Sequence, residues 1–240
     1  MNEYHTKIKI EVMKVFDIIA TSYSYLRSRG WDIVLKVIDD KTYRVCDVGS
    51  GPGSNALQIL RKKPDLYVIC MDISVNMLNI AKKRFMKKSL YVSVDLVQGD
   101  MEFMPFRDLS FDSMIYIASL HHIPTSKGRV EALNEAYRVT KSGGKILITV
   151  WALLQPRFIP HIAKNIIHKV LCSKCLESIK DVLIPWRYKG KVLLRYYHLF
   201  TLGELRKLVS RTRFKIIESG RYNIHKKIYP ENYYVLAIKD

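Results

Sequence analysis

Short apolar runs alternate with amphipathic segments through the middle of the chain. The runs are rich in Val, Ile and Tyr, as expected for strands buried on both faces of a sheet. They lie at residues 43–48, 66–71, 91–97, 111–118 and 145–151. The amphipathic segments have apolar side chains at helical spacing and lie at residues 54–62, 75–87 and 127–140. This alternation builds an open parallel sheet with right-handed crossovers. We therefore predict an α/β fold, a Rossmann-like sheet of seven mostly parallel strands with helices on both faces and an antiparallel C-terminal hairpin.

The segments on either side of this core complete a single predicted domain, residues 1–240. The predicted parts are N-terminal cap helices in 1–42, the core in 43–151, a basic insertion and substrate segment in 152–200, and a C-terminal helix with edge strands in 201–240. Within these parts we predict helices at residues 6–26, 31–39, 157–171, 174–184 and 201–211, and strands at 214–218 and 233–238. The last helix begins with Thr201 and Glu204 at the spacing of a capping box.

Positive charge is concentrated near the C-terminus. The 240 residues include 40 Lys and Arg against 22 Asp and Glu, a net charge of +18, and the last 90 residues carry +12 of it. A field this one-sided favours a polyanionic partner such as a nucleic acid backbone, although solubility or a thermophilic composition also produces lysine-rich surfaces. With 48% hydrophobic and 26% charged residues, the composition is globular and excludes a disordered or disulfide-stapled chain.

The sequence predicts neither export nor a metal site. No apolar run reaches the roughly 18 residues needed to cross a bilayer, and residues 1–9 lack the apolar stretch of a signal peptide. We therefore expect a cytoplasmic protein with no membrane partner. Cys172 and Cys175 form a Cys-x-x-Cys pair, but no second pair follows at zinc-ribbon spacing, although His161 and His168 lie nearby. We expect both cysteines to face a small core of the insertion.

A glycine-rich loop follows the first predicted strand. The segment Val-Cys-Asp-Val-Gly-Ser-Gly-Pro-Gly, residues 45–53, allows a sharp turn and a close approach of the backbone to a ligand. Open parallel sheets bind ligands at this place. Asp47 lies within the strand, where a carboxylate suits a ligand ammonium better than a pyrophosphate. Asp72 ends the second strand, where a carboxylate can accept both hydroxyls of a ribose.

These residues resemble those of the class I S-adenosylmethionine-dependent methyltransferases. The matching positions are Asp47, Gly49, Gly51, Gly53, Asp72, Gly99-Asp100-Met101, Pro105-Phe106, Phe111-Asp112 and Gly143-Gly144. The resemblance implies S-adenosyl-L-methionine as the cofactor. A dehydrogenase-type nucleotide-binding sheet is the alternative, but it has no obvious place for the pair Gly99-Asp100.

The resemblance also implies roles for individual residues. Asp72 would bind the ribose of the cofactor, Asp100 and Met101 its adenine, and Tyr23 would close over its methionine end. The implied cofactor-binding residues are Tyr23, Asp47, Gly49, Ser50, Gly51, Gly53, Asp72, Ile73, Asp100, Met101 and Ala118.

Four further segments narrow the resemblance to the tRNA wobble-uridine methyltransferases, which esterify a 5-carboxymethyl group at anticodon position 34. The segments are residues 19–31, 117–122, 150–155 and 195–200. The resemblance implies one methyltransferase domain whose partners are a tRNA anticodon arm and a small zinc-binding activator subunit, which usually adds a strand to the sheet edge. The sequence departs from the family at Gly30-Trp31, where Pro-Trp is usual, at Tyr233–Tyr234, which replaces a Trp-rich ending, and in the unplaced insertion 157–190.

The residue types in these segments suit esterification. A carboxylate nucleophile is ionised at neutral pH and needs no general base, so positioning supplies most of the catalysis. Arg27 and Arg195 can orient one carboxylate oxygen through bidentate hydrogen bonds, and an exposed phosphate contact is the alternative for Arg195. Tyrosine and histidine would add hydrogen-bond donors. The predicted catalytic residues are Arg27, His121, Arg195, Tyr197 and His198.

Two aromatic residues are predicted substrate contacts. Trp151 would stack on a flipped uracil, or else pack in the core. Tyr196 is the second, but it adjoins Tyr197, so the two point in opposite directions and the sequence leaves open which enters the core. His122 is expected to be structural. Two other functions stay open: methylation of a small metabolite, with an incidental charge, and a non-catalytic cofactor-binding protein that binds RNA.

Overall fold

The computed structural model describes residues 3–171, 178–225 and 227–240. The described helices are α1 (Glu3–Leu26), α2 (Ser54–Lys62), α3 (Val75–Lys87), α4 (Ser126–Val139), α5 (Ile159–Leu171) and α6 (Leu202–Val209). The strands are β1 (Arg44–Val48), β2 (Tyr67–Asp72), β3 (Val94–Gln98), β4 (Phe111–Ile117), β5 (Thr140–Trp151), β6 (Asp181–Tyr188), β7 (Lys191–His198), β8 (Lys215–Tyr222) and β9 (Asn232–Ile238). Short 3₁₀ helices lie at Asp32–Val37, Tyr91–Ser93, Leu120–His122 and Pro156–Phe158.

Seven strands form one sheet in the order β3-β2-β1-β4-β5-β9-β8. The pairs among β1 to β5 are parallel, whereas β9 runs antiparallel to both β5 and β8. The predicted seven-stranded, mostly parallel Rossmann-like sheet with an antiparallel C-terminal pair is therefore confirmed. The strand order reverses between β1 and β4, and the crevice at the carboxyl ends of such strands is where open α/β sheets bind ligands.

Helices cover both faces of the sheet through two apolar clusters. On one face α4 and α6 insert Leu133 and Leu205, and on the other α2 and α3 insert Ile59 and Phe85. All four side chains are fully buried. The central strands are apolar on both faces because neither face meets water, and this is why they could be predicted as continuous apolar runs.

The segment after α5 differs from the prediction. Residues 174–184 were expected to form a helix, but β6 begins within them and pairs antiparallel with β7 in a separate two-stranded sheet. Pro185 cannot continue a helix, and the β-branched and aromatic residues around it favour a strand. The hairpin turns at Lys189 and Gly190, whose φ angles of 47° and 76° match a type I′ turn. Cys172 and Cys175 lie outside the described residues.

The N-terminal cap differs from the prediction in its second element. The helix expected at residues 31–39 is the 3₁₀ helix Asp32–Val37, whereas the first helix is confirmed as α1. This long helix packs against α3 and against β7 of the hairpin. It therefore lies over the carboxyl ends of the strands, where a ligand would enter.

Gly30 joins α1 to the rest of the fold at a place where no side chain fits. A Cβ atom there would lie 2.6 Å from Gln58 Cβ and would overlap the carbonyl oxygen of Ser54, both in α2. The glycine that replaces the usual proline thus permits a close contact between the chain and α2. We expect Gly30→Pro and Gly30→Ala each to lower the free energy of unfolding by about 1–3 kcal/mol, measured by urea denaturation.

The matched control for these variants is Gly203→Ala. A Cβ atom at Gly203 would meet nothing within 4 Å, so this variant should be neutral or slightly stabilising. A Gly30→Pro variant as stable as the control would show that the contact with α2 opens without cost.

Candidate active site

The loop after β1 has a conformation that requires glycine at two places. Gly49 and Gly53 have φ angles of +70° and +74°, in the left-handed region where side chains are disfavoured. A Cβ atom at Gly49 would lie 2.5 Å from Ser119 Cβ, and one at Gly53 would lie 2.8 Å from the Phe85 ring. The loop is therefore held tightly between β4 and α3, with its backbone open toward the cleft.

A cleft with about 1030 Å³ of open space lies over this loop. Its floor comes from the ends of β1, β2 and β4, and α1 covers it through Val12 and Phe16. Ten of the predicted site residues line it: Tyr23, Arg27, Gly49, Ser50, Gly51, Asp72, Ile73, Asp100, Met101 and Ala118. The structure thus brings most of the predicted cofactor-binding residues together in one place.

Two buried carboxylates lie at the carboxyl ends of β1 and β2, and of the two Asp72 lines the cleft. Asp72 accepts hydrogen bonds from the backbone amides of Gly51 at 2.7 Å and Ser74 at 2.8 Å, yet burial raises its pKa to about 6. Asp47 is fully buried, and neither of its oxygens has a hydrogen-bond partner among the described residues. Burial and the charge of Asp72 raise the pKa of Asp47 to about 8. A ligand with hydroxyls and an ammonium group suits this pair, because it supplies donors and a positive charge.

We predict that cofactor binding releases a proton from Asp47. At pH 7 this carboxyl is mostly protonated in the free protein, since its pKa is about 8. A cationic ligand stabilises the carboxylate and lowers that pKa, so affinity should rise with pH up to about 8, by at most about tenfold per pH unit. The measurement is calorimetric titration with S-adenosylhomocysteine at pH 7 in two buffers of different ionisation enthalpy.

Two variants show whether Asp47 is the source of that proton. Asp47→Asn should bind more weakly and without proton release, while Asp65→Asn, at an exposed position, should behave as the wild type. Binding to the wild type with no net proton release would contradict the prediction.

An ion-pair network ties α1 to the far end of the cleft. Lys9 forms ion pairs with Asp100 and Glu102. His5 adds hydrogen bonds to Glu102 at 2.9 Å and to Thr125 at 2.8 Å. The sequence analysis missed this network, although His5 and Lys9 are four residues apart and so lie on one face of α1. It fixes the helix beside the residues expected to contact adenine.

A second group of predicted residues forms an aromatic cluster next to the cleft. The rings of Trp151 and Tyr197 stack at 4.1 Å with an angle of 5° between them. Tyr197 also contacts His121 at 5.1 Å and His122 at 4.6 Å between ring centroids. His122 itself lines the cleft and contacts Phe16 of α1. The cluster is therefore continuous with the cleft.

Arg195 is a buried cation in this cluster and has no carboxylate partner among the described ion pairs. Its Nη1 donates to the Tyr197 hydroxyl at 2.8 Å, and its guanidinium lies 4.6 Å from the centre of the Trp186 ring. Its Nε has no hydrogen-bond partner among the residues that the structure describes. Because the Tyr197 oxygen accepts from Arg195, its own O–H is free to donate. An anion is the natural ligand for this pair.

Arg27 and Arg157 add positive charge around the same rings. Arg27 lines the cleft and lies 5.2 Å from the Trp31 ring. The guanidinium of Arg157 lies 4.7 Å from the centre of the Trp151 ring. No sequence pattern predicted a role for Arg157, which stood only at the start of a helix predicted for residues 157–171. The Tyr197 ring and the Arg157 guanidinium therefore already lie against the Trp151 ring, on which a uracil base was predicted to stack.

The two adjacent histidines are neutral near pH 7. His121 accepts a hydrogen bond at Nδ1 from the Trp151 amide at 3.2 Å, so its proton is on Nε2, which has no partner in the described part of the chain. Burial lowers the pKa of His121 well below its usual value. Burial, together with the charges of Arg195 and Arg27, lowers the pKa of His122 to about 4. His121 is thus a neutral hydrogen-bond donor. We expect activity near pH 7 not to depend on the protonation of either histidine.

Two predicted residues are held away from the cleft. Tyr196 is buried and donates its hydroxyl to the carbonyl of Pro124 at 3.2 Å, so Tyr197 is the neighbour that joins the cluster. His198 lies between two carboxylates, 2.6 Å from Asp181 and 2.9 Å from Glu204. These bonds anchor β6 and β7 to α6. In this conformation Tyr196 and His198 support the hairpin, and neither lines the cleft.

The described residues hold no group of three or more His, Cys, Asp or Glu side chains that could bind a metal ion. Within the same ranges, no helix is long and apolar enough to span a membrane.

Comparisons with known proteins agree with this geometry. Residues 46–148 match a family model described as a methyltransferase domain. The tRNA (carboxymethyluridine(34)-5-O)-methyltransferase of Schizosaccharomyces pombe is 27% identical over 249 residues, which cover 95% of this chain and 96% of that protein.

Solved structures share the fold. An S-adenosylmethionine-dependent methyltransferase from Methanosarcina mazei superposes with a TM-score of 0.71 at 20% identity, covering 88% of this chain and 98% of that one. A chain from a complex between the Haloferax volcanii Trm112 methyltransferase activator and a methyltransferase superposes with a TM-score of 0.65 at 16% identity, covering 95% and 96%. The chain therefore contains a methyltransferase domain with the fold of the S-adenosylmethionine-dependent enzymes, which implies S-adenosylmethionine as its cofactor, and over nearly its whole length it is similar to a tRNA carboxymethyluridine methyltransferase.

Proposed function

We propose that this chain esterifies the 5-carboxymethyl group of the wobble uridine, position 34, of tRNA. The observation that carries the proposal is the buried guanidinium of Arg195, which shares the Tyr197 hydroxyl and has no carboxylate partner in the described chain. A substrate carboxylate would supply that partner. The full-length similarity to the Schizosaccharomyces pombe enzyme supports the same substrate.

The residues of the cleft suit a reaction governed by position. When bound, S-adenosylmethionine supplies a methyl group that a carboxylate oxygen attacks in line, forming a C–O bond as the C–S bond breaks with its electron pair on sulfur. Asp47 and Asp72 would hold the ammonium and ribose of the cofactor. Arg195 and Arg27 would orient the carboxylate, with Tyr197 and His121 as neutral donors. No side chain has to remove a proton, in agreement with the low pKa of His122.

In this mechanism the guanidinium groups orient the substrate carboxylate and do not neutralise its charge. A tight ion pair with the substrate carboxylate would stabilise the ground state and slow attack. Arg195 is partly engaged by Tyr197 and by the Trp186 ring, so its charge is shared before a substrate arrives. α1 and the hairpin β6–β7 would cover the reacting groups and exclude water from them. In this proposal both are parts of one methyltransferase domain.

We further propose a small zinc-binding activator subunit as a partner. The edge strand β3 offers a free edge for strand addition. Beside it Val92 is 85% exposed and Phe103 is 63% exposed, an apolar surface that a partner would cover. In the Haloferax volcanii complex, a chain of this fold assembles with the Trm112 methyltransferase activator.

The proposed function is tested by mass spectrometry of tRNA nucleosides from a deletion strain. We expect the wobble carboxymethyl ester to disappear and the free acid to accumulate, with recovery when the wild-type gene is returned. An unchanged ester level overturns the proposal. The matching test in vitro uses the protein purified from its native cell with its partner and labelled cofactor. Labelling of a small acid or phenol in preference to tRNA supports a metabolite methyltransferase instead.

A further inference from the structure

The hairpin β6–β7 carries a group of cations at its tip. Lys189 lies in the turn, Arg187 and Lys191 lie on either side of it, and all three are exposed. None forms an ion pair with a residue that the structure describes. The one acid in residues 178–200, Asp181, is buried at the other end of the hairpin against His198. The tip is therefore a positively charged surface with no acidic side chain of residues 178–200 beside it.

The part of the hairpin next to the tip, at Trp186, contacts α1 and the candidate active site. The Trp186 indole donates to the Ser22 hydroxyl of α1 at 3.2 Å, and its ring contacts Tyr23 at 5.9 Å and the Arg195 guanidinium at 4.6 Å. The two-residue type I′ turn at Lys189 and Gly190 connects β6 and β7 tightly. The tip and Arg195 are thus parts of one regular hairpin, and the distance between them follows from the strand geometry.

That distance fits a single nucleic acid chain. Lys191 and Arg195 are four residues apart on one face of β7, about 13 Å at the usual rise of a strand, whereas Arg187 pairs with Val192 and extends from the opposite face of the tip. A stacked strand of nucleic acid advances about 3.4 Å per nucleotide. If the reacting carboxylate lies at Arg195, the tip is about four nucleotides along the same RNA.

We propose that Arg187, Lys189 and Lys191 form a clamp for the RNA backbone beside the reacting nucleotide. The proposal rests on the proposed function and adds to it the place where the RNA is held. Phosphates recognised in this way carry no sequence information. The clamp selects substrates by length and shape: an anticodon arm reaches it, whereas a single modified nucleoside does not.

The test compares two triple variants of the full-length protein in complex with its co-purified partner. The tip variant is Arg187→Gln, Lys189→Asn and Lys191→Gln, with asparagine at the position whose φ is positive. The control is Arg61→Gln, Lys62→Gln and Lys63→Gln. It removes one arginine and two lysines from exposed positions at the end of α2, about 13 Å along that helix from the cleft.

We measure binding of an anticodon stem-loop by fluorescence anisotropy at several salt concentrations, and its methylation. The tip variant should bind about tenfold more weakly than the control, and the slope of log Kd against log salt should fall by about two. The loss in methylation should fall on KM, and the Kd for S-adenosylhomocysteine should match the wild type.

Three other outcomes would each overturn the clamp, and one of them would overturn the proposed function as well. A tip variant whose RNA affinity and salt slope equal those of the control overturns the clamp, provided the wild type methylates the stem-loop. A wild type that binds cofactor but methylates no stem-loop overturns the proposed function and the clamp with it. Equal methylation of the stem-loop and the isolated nucleoside by the wild type also overturns the clamp.

Discussion

Replacement of Arg195 by lysine is expected to lower kcat/KM for tRNA by about 10²–10³-fold, the usual cost of losing one preorganised donor to a reacting oxygen. Lysine keeps the charge but has no planar fork, so it cannot hold the Tyr197 hydroxyl and a carboxylate together. The Kd for S-adenosylhomocysteine should stay within about twofold, because Arg195 is not among the residues that line the cofactor cleft. Single-turnover methylation and calorimetric titration measure the two quantities.

Chemical rescue separates this role from a structural one. In Arg195→Ala, added guanidinium ion should restore part of kcat at concentrations that leave the thermal midpoint unchanged. Arg61→Lys, at an exposed position, provides the control and should keep the wild-type rate. An Arg195→Lys enzyme with normal kcat/KM would show that the carboxylate is oriented by Arg27 and Arg157 alone.

The sheet could be predicted from sequence because each central strand is buried on both faces. Burial of this kind produces an uninterrupted apolar run in the sequence, as in Val68–Met71 of β2, and the glycines after β1 mark the turn. The hairpin could not be predicted in the same way. Its outer half is exposed, so Leu183, Val192 and Leu194 remain partly in solvent and the pattern of alternation is weak.

The candidate site was predictable where its residues follow a strand and not where they depend on packing. Asp72 ends β2 and Asp100 lies two residues after β3, so their place at the carboxyl edge follows from the fold. The directions of Tyr196 and Tyr197 depend on which face of β7 meets the 3₁₀ helix Leu120–His122, and local sequence does not carry that information. Arg157, in the 3₁₀ helix before α5, and Trp186, in β6, reach the cluster through tertiary packing.

Arg84 is the residue whose importance the sequence concealed most completely. In α3 it follows the buried positions Met77 and Ala81 at helical spacing, so it lies on the edge of the apolar stripe. Its guanidinium donates to the carbonyls of Ser24 at 2.6 Å and Pro52 at 3.1 Å, and to the Ser54 hydroxyl at 3.0 Å. Burial lowers its pKa, and no described acid forms an ion pair with it.

The three acceptors of the Arg84 guanidinium lie in two parts of the molecule. One part is α1, which covers the cleft, and the other is the glycine loop with the start of α2. Ser24 is in the last turn of α1, where the carbonyls carry the negative end of the helix dipole. Pro52 is in the glycine loop, and Ser54 begins α2 and donates its hydroxyl to the carbonyl of Arg27. Arg84 therefore joins the covering helix, the cofactor loop and the backbone of Arg27 through one side chain.

We expect Arg84→Met to lower the free energy of unfolding by about 3 kcal/mol, because it leaves buried acceptors that a charged donor had satisfied. The Kd for S-adenosylhomocysteine should rise by about tenfold or more, since α1 and the glycine loop are no longer held together. Arg84→Lys should fall between methionine and wild type, and Lys87→Met, at an exposed position of the same helix, should change neither quantity. Urea denaturation and calorimetric titration are the measurements. Normal stability and normal cofactor affinity in Arg84→Met would mean that the other contacts of α1, such as the ion pairs of Lys9, are enough to hold it over the cleft.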